Sequence, residues 1–203
     1  MRRLAKLALN AVGLLLALPS AGWAWLGARL LGEGAYNTCA FALSLLPGLL
    51  GVVVRRAFYC LILPQCAWDL HVGFGSAITH PTTTVGHRVW IGAYSLIGRC
   101  TLGDDVVVGS RVSVLSGRYQ HRFDRLDVPI RAQSGVLEEV AVGEDSWLGE
   151  GCIIMAEVGR GSVVGAGAVV VHTTEPLSVV VGNPARLVAT RGPGPEGSAH
   201  RTR

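Results

Sequence analysis

The sequence predicts an all-β solenoid, a parallel β-helix of six-residue rungs, with an apolar helical region in front of it. Three observations point there. An aliphatic residue recurs every six positions: Val85, Ile91 and Ile97, then Leu102, Val108 and Val114, then Val136, Val142, Leu148 and Ile154, then Val158, Val164 and Val170. Glycine follows nearly every one of these anchors, as at Gly86, Gly92, Gly103, Gly109, Gly143, Gly149, Gly159 and Gly165. A smaller side chain tends to recur four positions on: Ser76, Val89, Ser95, Thr101, Val106, Val112, Ser146, Cys152, Ser162 and Ala168. A fixed internal period marks a repeat architecture, and six residues is too short for a helix pair or a propeller blade. It suits one flat face of a three-sided coil whose anchors stack on the axis and whose backbone groups pair with the coils above and below.

The chain opens with an apolar region, residues 1–56. Residues 7–31 are strongly apolar, broken by Asn10 and Arg29, and residues 35–54 are apolar again with Pro47 inside. Each is close to the length a helix needs to cross a bilayer. Arg2, Arg3 and Lys6 precede the first stretch, and Arg55 and Arg56 close the second. A helical hairpin with Glu33 at its far turn would put both basic clusters on one side, which makes that side cytoplasmic. Other arrangements compete with it. The start has the basic, apolar and small-residue order of a signal peptide. Alternatively, the segments lie on a membrane surface or pack on protein.

Residues 57–190 hold the rungs. Glycine makes up 27 of 203 residues, enough for some aliphatic-glycine pairs by chance, but not for a dozen anchors in register. The expected role of the glycine is a bend or a close approach between coils. The register slips between Ile78 and Val85, between Ile97 and Leu102, and between Ile154 and Val158. Between Val114 and Val136 the chain leaves the repeat altogether.

That excursion, loop 116–135, is polar and aromatic. A long departure from a rigid repeat is usually a functional loop. His121 lies near its start, and imidazole suits a general base at neutral pH. Asp124 and Asp127 are near enough in sequence to orient the ring, and spacing does not choose between them. Arg118, Arg122 and Arg125 could attract an anionic substrate or line a cleft. His71, His80, His87 and His172 are weaker candidates. Beyond Arg191 the run Gly-Pro-Gly-Pro-Glu-Gly-Ser makes 191–203 a disordered tail.

Composition sets the remaining bounds. The net charge is +4 with no long basic run, which gives nucleic-acid binding little support and fits an anionic small molecule or a membrane surface. The five cysteines include no Cys-x-x-Cys pair, so neither a disulfide scaffold nor a structural zinc site is expected. Cys100 and Cys152 fall inside rungs as small packing residues, and the free thiols suit a reducing compartment.

Two stretches carry a resemblance. One is Val142-Gly-Glu-Asp-Ser-Trp-Leu-Gly-Glu-Gly, running into Val158-Gly-Arg-Gly-Ser-Val-Val-Gly-Ala-Gly-Ala-Val-Val; the other is Val181-Gly-Asn-Pro-Ala-Arg-Leu-Val. From about Val72 to Val188 the chain resembles the hexapeptide-repeat acyltransferases of the left-handed β-helix class, in the xenobiotic, galactoside and polysaccharide acetyltransferase branch. The resemblance implies the left-handed sense, a homotrimer with active sites between subunits, and acetyl-CoA as donor. Ser116-Gly-x-x-x-His121-Arg-x-Asp124 resembles the family's catalytic loop, so His121 and Asp124 are the implied catalytic residues. His121 would deprotonate a hydroxyl or amine that attacks the thioester directly, with no acyl-enzyme.

The resemblance also implies contacts to the coenzyme from Gly149, Gly165, Ala166, His172 and Arg186. The family's Thr-Lys after the last coil is Val171-His172 here. No metal is implied. The acceptor expected is a sugar, a lipid-linked sugar or another small molecule. The expected location is the cytoplasm, with membrane contact through residues 7–54, since the soluble antibiotic and sugar enzymes lack such a front. Two rival functions are a non-catalytic scaffold of the same shape and a γ-type zinc carbonic anhydrase, whose three histidines would come from among His71, His80, His87 and His121.

Overall fold

The computed structural model describes residues 2–192; residues 193–203, most of the segment expected to be a disordered tail, lie outside the described residues. Three helices come first: α1 (Arg2–Leu31), α2 (Glu33–Ser44) and α3 (Gly48–Ile62). The helical front thus runs past residue 56, because Ala57, Phe58 and Tyr59 are buried on the α3 face that meets the coils. Pro19 lies within α1 without ending it.

Short strands then wind in a repeating three-sided path. The first coil is β1 (Gln65–Cys66), β2 (His71–Val72) and β3 (Ala77–Ile78); the second is β4 (Thr84–Val85), β5 (Trp90–Ile91) and β6 (Leu96–Ile97); the third is β7 (Cys100–Leu102), β8 (Val107–Val108) and β9 (Ser113–Val114). The fourth is β10 (Val140–Val142), β11 (Trp147–Leu148) and β12 (Ile153–Ile154). The fifth has a bridge at Val158, then β13 (Val163–Val164) and β14 (Val169–Val170). Each strand pairs in parallel with its counterparts in the next coils, which makes three flat sheets: A from β1, B from β2 and C from β3. Sheet B ends with β15 (Ser178–Val181) and an antiparallel partner, β16 (Arg186–Thr190).

The anchors line the axis as expected. Val85, Ile91, Ile97, Val108, Leu148, Ile154 and Val164 are all fully buried. Two expected positions are corrected. Val136 is exposed, and the repeat resumes at Val140 and Val142 instead. Thr101 is only half-buried, because the shortened link from Ile97 gives the second inward place of that rung to Cys100. Buried serines in this place are satisfied along the stack. The Ser95 hydroxyl donates to the Gly109 carbonyl (2.9 Å) and accepts from the Val112 amide (3.1 Å).

The glycine after each anchor serves close approach. A Cβ at Gly92 would stand 2.6 Å from the Gly109 carbonyl carbon, and one at Gly149 would stand 2.6 Å from the Ala166 nitrogen. Successive coils therefore stack backbone on backbone there. The left-handed backbone falls two residues later, at Arg88, Tyr94, Asp105, Arg111 and Asp145.

The helices cap the open end of the first coil. Tyr36 donates to the Ile78 carbonyl (2.9 Å), while Tyr59 Oη accepts from the Ile78 amide (3.0 Å). Arg55 was expected to flank a membrane segment; it is instead buried, with Nε donating to the Val72 carbonyl (3.1 Å) and an Nη to Leu46 (2.7 Å) and Leu43 (3.1 Å). The guanidinium neutralises the carbonyl end of α2 and ties it to the coil. Arg56 donates to the Leu70 carbonyl and to Asn10 of α1. Both arginines are bonded to the first coil, and the second apolar stretch packs against it.

Candidate active site

Every irregularity in the rungs falls at one corner of the triangle, where sheet C hands over to sheet A. The seven-residue link (Ile78 to Val85), the short links (Ile97 to Leu102, Ile154 to Val158) and the long loop all lie there. The loop leaves after β9 and returns at β10, so it ends later than residue 135. Its base is a narrow ladder: the Glu138 amide donates to the Ser116 carbonyl (3.0 Å) and the Val136 amide to Tyr119 (2.8 Å). Ser116 is buried and accepts from the Arg99 amide (2.9 Å), which fixes the point of departure. Arg118 reaches across a coil to donate to the Val171 carbonyl (2.9 Å).

His121 stands at the top of this ladder with its side chain exposed. Gly135 passes so close that a Cβ there would lie 2.7 Å from the His121 nitrogen. Glycine at 135 therefore sets where the histidine emerges, a role the sequence reading missed. Asp124 pairs with Arg122 (3.1 Å), and Asp127 pairs with Arg125. Arg125 holds the Asp127 carboxyl below the usual carboxylate range. Two of the loop's four arginines are thus spent within it. Gln133 fastens the tip, donating to the Arg125 carbonyl (2.8 Å) and accepting from the Arg125 amide (3.2 Å). Phe123 and Leu126 project from the tip uncovered, Leu126 at 99% exposure.

A cleft of about 520 Å³ opens between the loop base and the fourth and fifth coils. Arg118, Glu138, Glu139, Met155, Glu157 and His172 line it. His172 thus belongs to the loop's corner. The other four residues expected to meet a coenzyme gather at the next corner, between sheets B and C. The Gly149 amide donates to the Val164 carbonyl (2.7 Å), the Gly165 amide to Val180 (2.8 Å), and Ala166 stacks on Gly149. Arg186 pairs with Val181 at the end of sheet B, its side chain exposed and, among the described residues, bonded to its neighbour Ala185. A Cβ at Gly151 or Gly167 would meet nothing within 4 Å, so this corner is a track with few side chains standing on it. Such a track admits a slender ligand arm, and Arg186 supplies a cation beside it for phosphate.

The other histidines among the described residues lie on earlier coils. His71 stacks on Trp90 (3.6 Å between ring centroids), His80 lies 3.5 Å from Glu33, and His87 lies 3.5 Å from Asp69.

No protein-family profile matches the chain. Among curated proteins it is 31% identical to the serine acetyltransferase of Bacillus subtilis over 143 residues, which is 68% of this chain and 58% of that one. It is 30% identical to a probable acetyltransferase of Mycobacterium tuberculosis, covering 52% of this chain and 36% of the relative. Among solved structures, a maltose O-acetyltransferase from Clostridium difficile superposes with a TM-score of 0.70 at 20% identity, covering 80% of this chain and 88% of that one. This chain is a relative of the hexapeptide-repeat acetyltransferases and shares their left-handed β-helix. A galactoside acetyltransferase in complex with coenzyme A has the same fold, with a TM-score of 0.63 at 15% identity over 81% of this chain and 82% of that one. The chain spans between about a third and three fifths of the length of the first two relatives, 36% and 58%. In this hexapeptide-repeat protein the coils form a rigid frame, and the one long loop carries the histidine.

Proposed function

We propose that the protein is an acetyl-CoA-dependent acetyltransferase acting on a hydroxyl or amine of a sugar or another small acceptor. The observation that carries this reading is His121: an exposed imidazole on the single long loop of a rigid coil stack, at a corner that also opens a cleft. Support comes from the relatives named acetyltransferases, and the sugar class from the maltose and galactoside enzymes that share the fold.

In this mechanism His121 takes the proton of the acceptor as it attacks the thioester carbonyl, and returns it to the departing sulfur. A backbone amide of a neighbouring coil stabilises the tetrahedral oxyanion. Gly149, Gly165 and Ala166 leave room for the pantetheine arm, and Arg186 meets the nucleotide phosphates. No acyl-enzyme forms, so the buried thiols of Cys100 and Cys152 have no part in the reaction; burial pushes both pKa values up.

The working form is a homotrimer in the cytoplasm, held to the inner face of the cell membrane by its apolar front. Uncovered aromatic and aliphatic side chains support assembly: Phe123 and Leu126 on the loop tip, Trp90 and Trp147 on sheet B. A neighbouring copy supplies the second wall of the site and completes the surroundings of His121. The test is release of free CoA thiol from acetyl-CoA in the presence of free and lipid-linked sugars. His121→Ala is expected to lower turnover by about 10²–10⁴-fold while coenzyme binding persists. Near-normal turnover of that variant with the true acceptor would reject the mechanism, and failure to bind CoA would favour a scaffold.

A further inference from the structure

Helix α1 is built inside out. The residues it buries are small, Gly13, Ala17, Ala21, Ala24 and Gly27, while Leu15, Leu16, Leu18, Trp23, Trp25 and Leu26 face outward, each 48–67% exposed. A helix of a soluble domain places large aliphatic side chains inward and polar ones outward. The small stripe lets the backbones approach closely: a Cβ at Gly13 would stand 2.7 Å from the Val53 carbonyl oxygen. Helices that meet through small residues and show large apolar ones to their surroundings are a device of lipid environments. So long an apolar strip also exceeds the scattered exposure normal for a soluble surface.

Layer order gives the orientation. α1 packs on α2 and α3, while α2 touches β3 and α3 touches β1 and β2. The line from α2 to α3 therefore crosses the end of the triangular coil, and α1 lies across that line as the outermost layer. Were α1 to cross a bilayer, the layer it is packed on would have to enter the bilayer too. There Arg55 and Arg56 are bonded to the first coil. Lying flat costs nothing of the kind. The inward side of α1 is already covered, so the helix needs no polar face of its own.

Charge identifies the surface. The chain has no acidic residue before Glu33, yet carries Arg2, Arg3, Lys6 and Arg29. The Arg29 guanidinium sits 4.1 Å from the Trp25 ring centre, a pairing suited to the headgroup level. Two copies facing through α1 would bring like charges together, whereas an anionic leaflet complements them. We infer that α1 lies in the plane of an anionic membrane, its outer face sunk into one leaflet, with the coil stack standing upright on it. This rests on the membrane attachment of the apolar front and goes further in fixing its geometry and lipid class.

The test adds the full-length protein, bearing a protease-cleavable tag ahead of Met1, to sealed vesicles of phosphatidylcholine with or without phosphatidylglycerol. Flotation with the phosphatidylglycerol vesicles, together with tag cleavage by protease added outside, is the expected result. The double variant Leu15→Glu, Trp23→Glu should lose flotation with an unchanged melting temperature, since both side chains point away from the fold. Flotation with a protected tag would mean that α1 crosses the bilayer, which overturns the flat geometry and leaves attachment standing. No flotation with either vesicle would overturn attachment itself. A fall in sedimenting mass of the double variant, with flotation unchanged, would mean that a second copy covers this face.

Discussion

Replacing Arg55 with methionine should weaken the junction between the helical cap and the coils, and the size of the effect can be worked out from its bonds. The side chain is 1% exposed and serves four carbonyls: Val72 through Nε (3.1 Å), and Leu46 (2.7 Å), Leu43 (3.1 Å) and Ser44 (3.3 Å) through one Nη. A hydrogen bond from a charged donor contributes about 1.5–3 kcal/mol, and a buried acceptor left unpaired costs about 1–3 kcal/mol. The four bonds share two nitrogens, so they count as roughly two independent interactions. Methionine fills most of the volume and removes a buried charge, which offsets part of the loss; burial already pushes the guanidinium pKa down. The net expectation is about 2–4 kcal/mol for Arg55→Met, and less for Arg55→Lys, which retains a cation at the end of α2. For a chain of this size that corresponds to a melting temperature lower by about 5–15 °C, read by circular dichroism. A melting temperature within a degree of the parent would refute the view that this arginine joins the cap to the first coil.

Three further outcomes are expected. Gly135→Ala should shift the loop ladder and misplace His121, lowering turnover by about 10²-fold with little change in coenzyme affinity, measured by steady-state kinetics and calorimetry. His71 is held below the ordinary imidazole pKa of about 6.5 by burial, with Arg56 and Arg55 adding to the effect. Its unfolded form binds the proton more readily, so its contribution to stability is complete above the ordinary value and is lost as the pH falls from there toward the lowered one. Thermal melts between pH 8 and pH 5 should show that decline, and His71→Gln should flatten it. Cys60 and Cys66 sit with sulfurs 3.2 Å apart; the contact lowers the Cys60 pKa and raises that of Cys66. Mass spectrometry after brief iodoacetamide treatment at mildly alkaline pH should find Cys60 labelled first, and prior labelling of Cys66 would contradict the assignment.

Much of the coil stack was legible because each inward position constrains its residue in two ways: an aliphatic anchor for the axis and a glycine where coils touch. At Val136, inside the long excursion, only half of that pattern held and the reading failed, although Val114 and Ile154 reach the axis without a following glycine. Val136 is aliphatic but is followed by Leu137, whereas Val142 is followed by Gly143, and only the second is on the axis. The departure of the loop was visible as a broken period; its return was not, because Val136 to Glu138 form a ladder of their own. His121 stood out as a candidate by chemistry and place, whereas the carboxylate of Asp124 pairs with the adjacent Arg122, a partner that spacing alone did not indicate. Gly135 left a signal that was overlooked, a glycine in the loop where no coil requires one. The front end was read from its apolar length and the charges that flank it. Length cannot tell a crossing pair from a stacked one, and the discriminating detail was which side of α1 carries the small residues.

The stacking order also acts as a ruler. With α1 against a bilayer, the layer of α2 and α3 and the first three coils stand between the lipid and the cleft. At about 8–10 Å per helix layer and about 4.8 Å per coil, the loop's corner is carried roughly 22–24 Å above the membrane. Adding or removing a coil would change that height in steps of about 4.8 Å while leaving the corner itself unaltered.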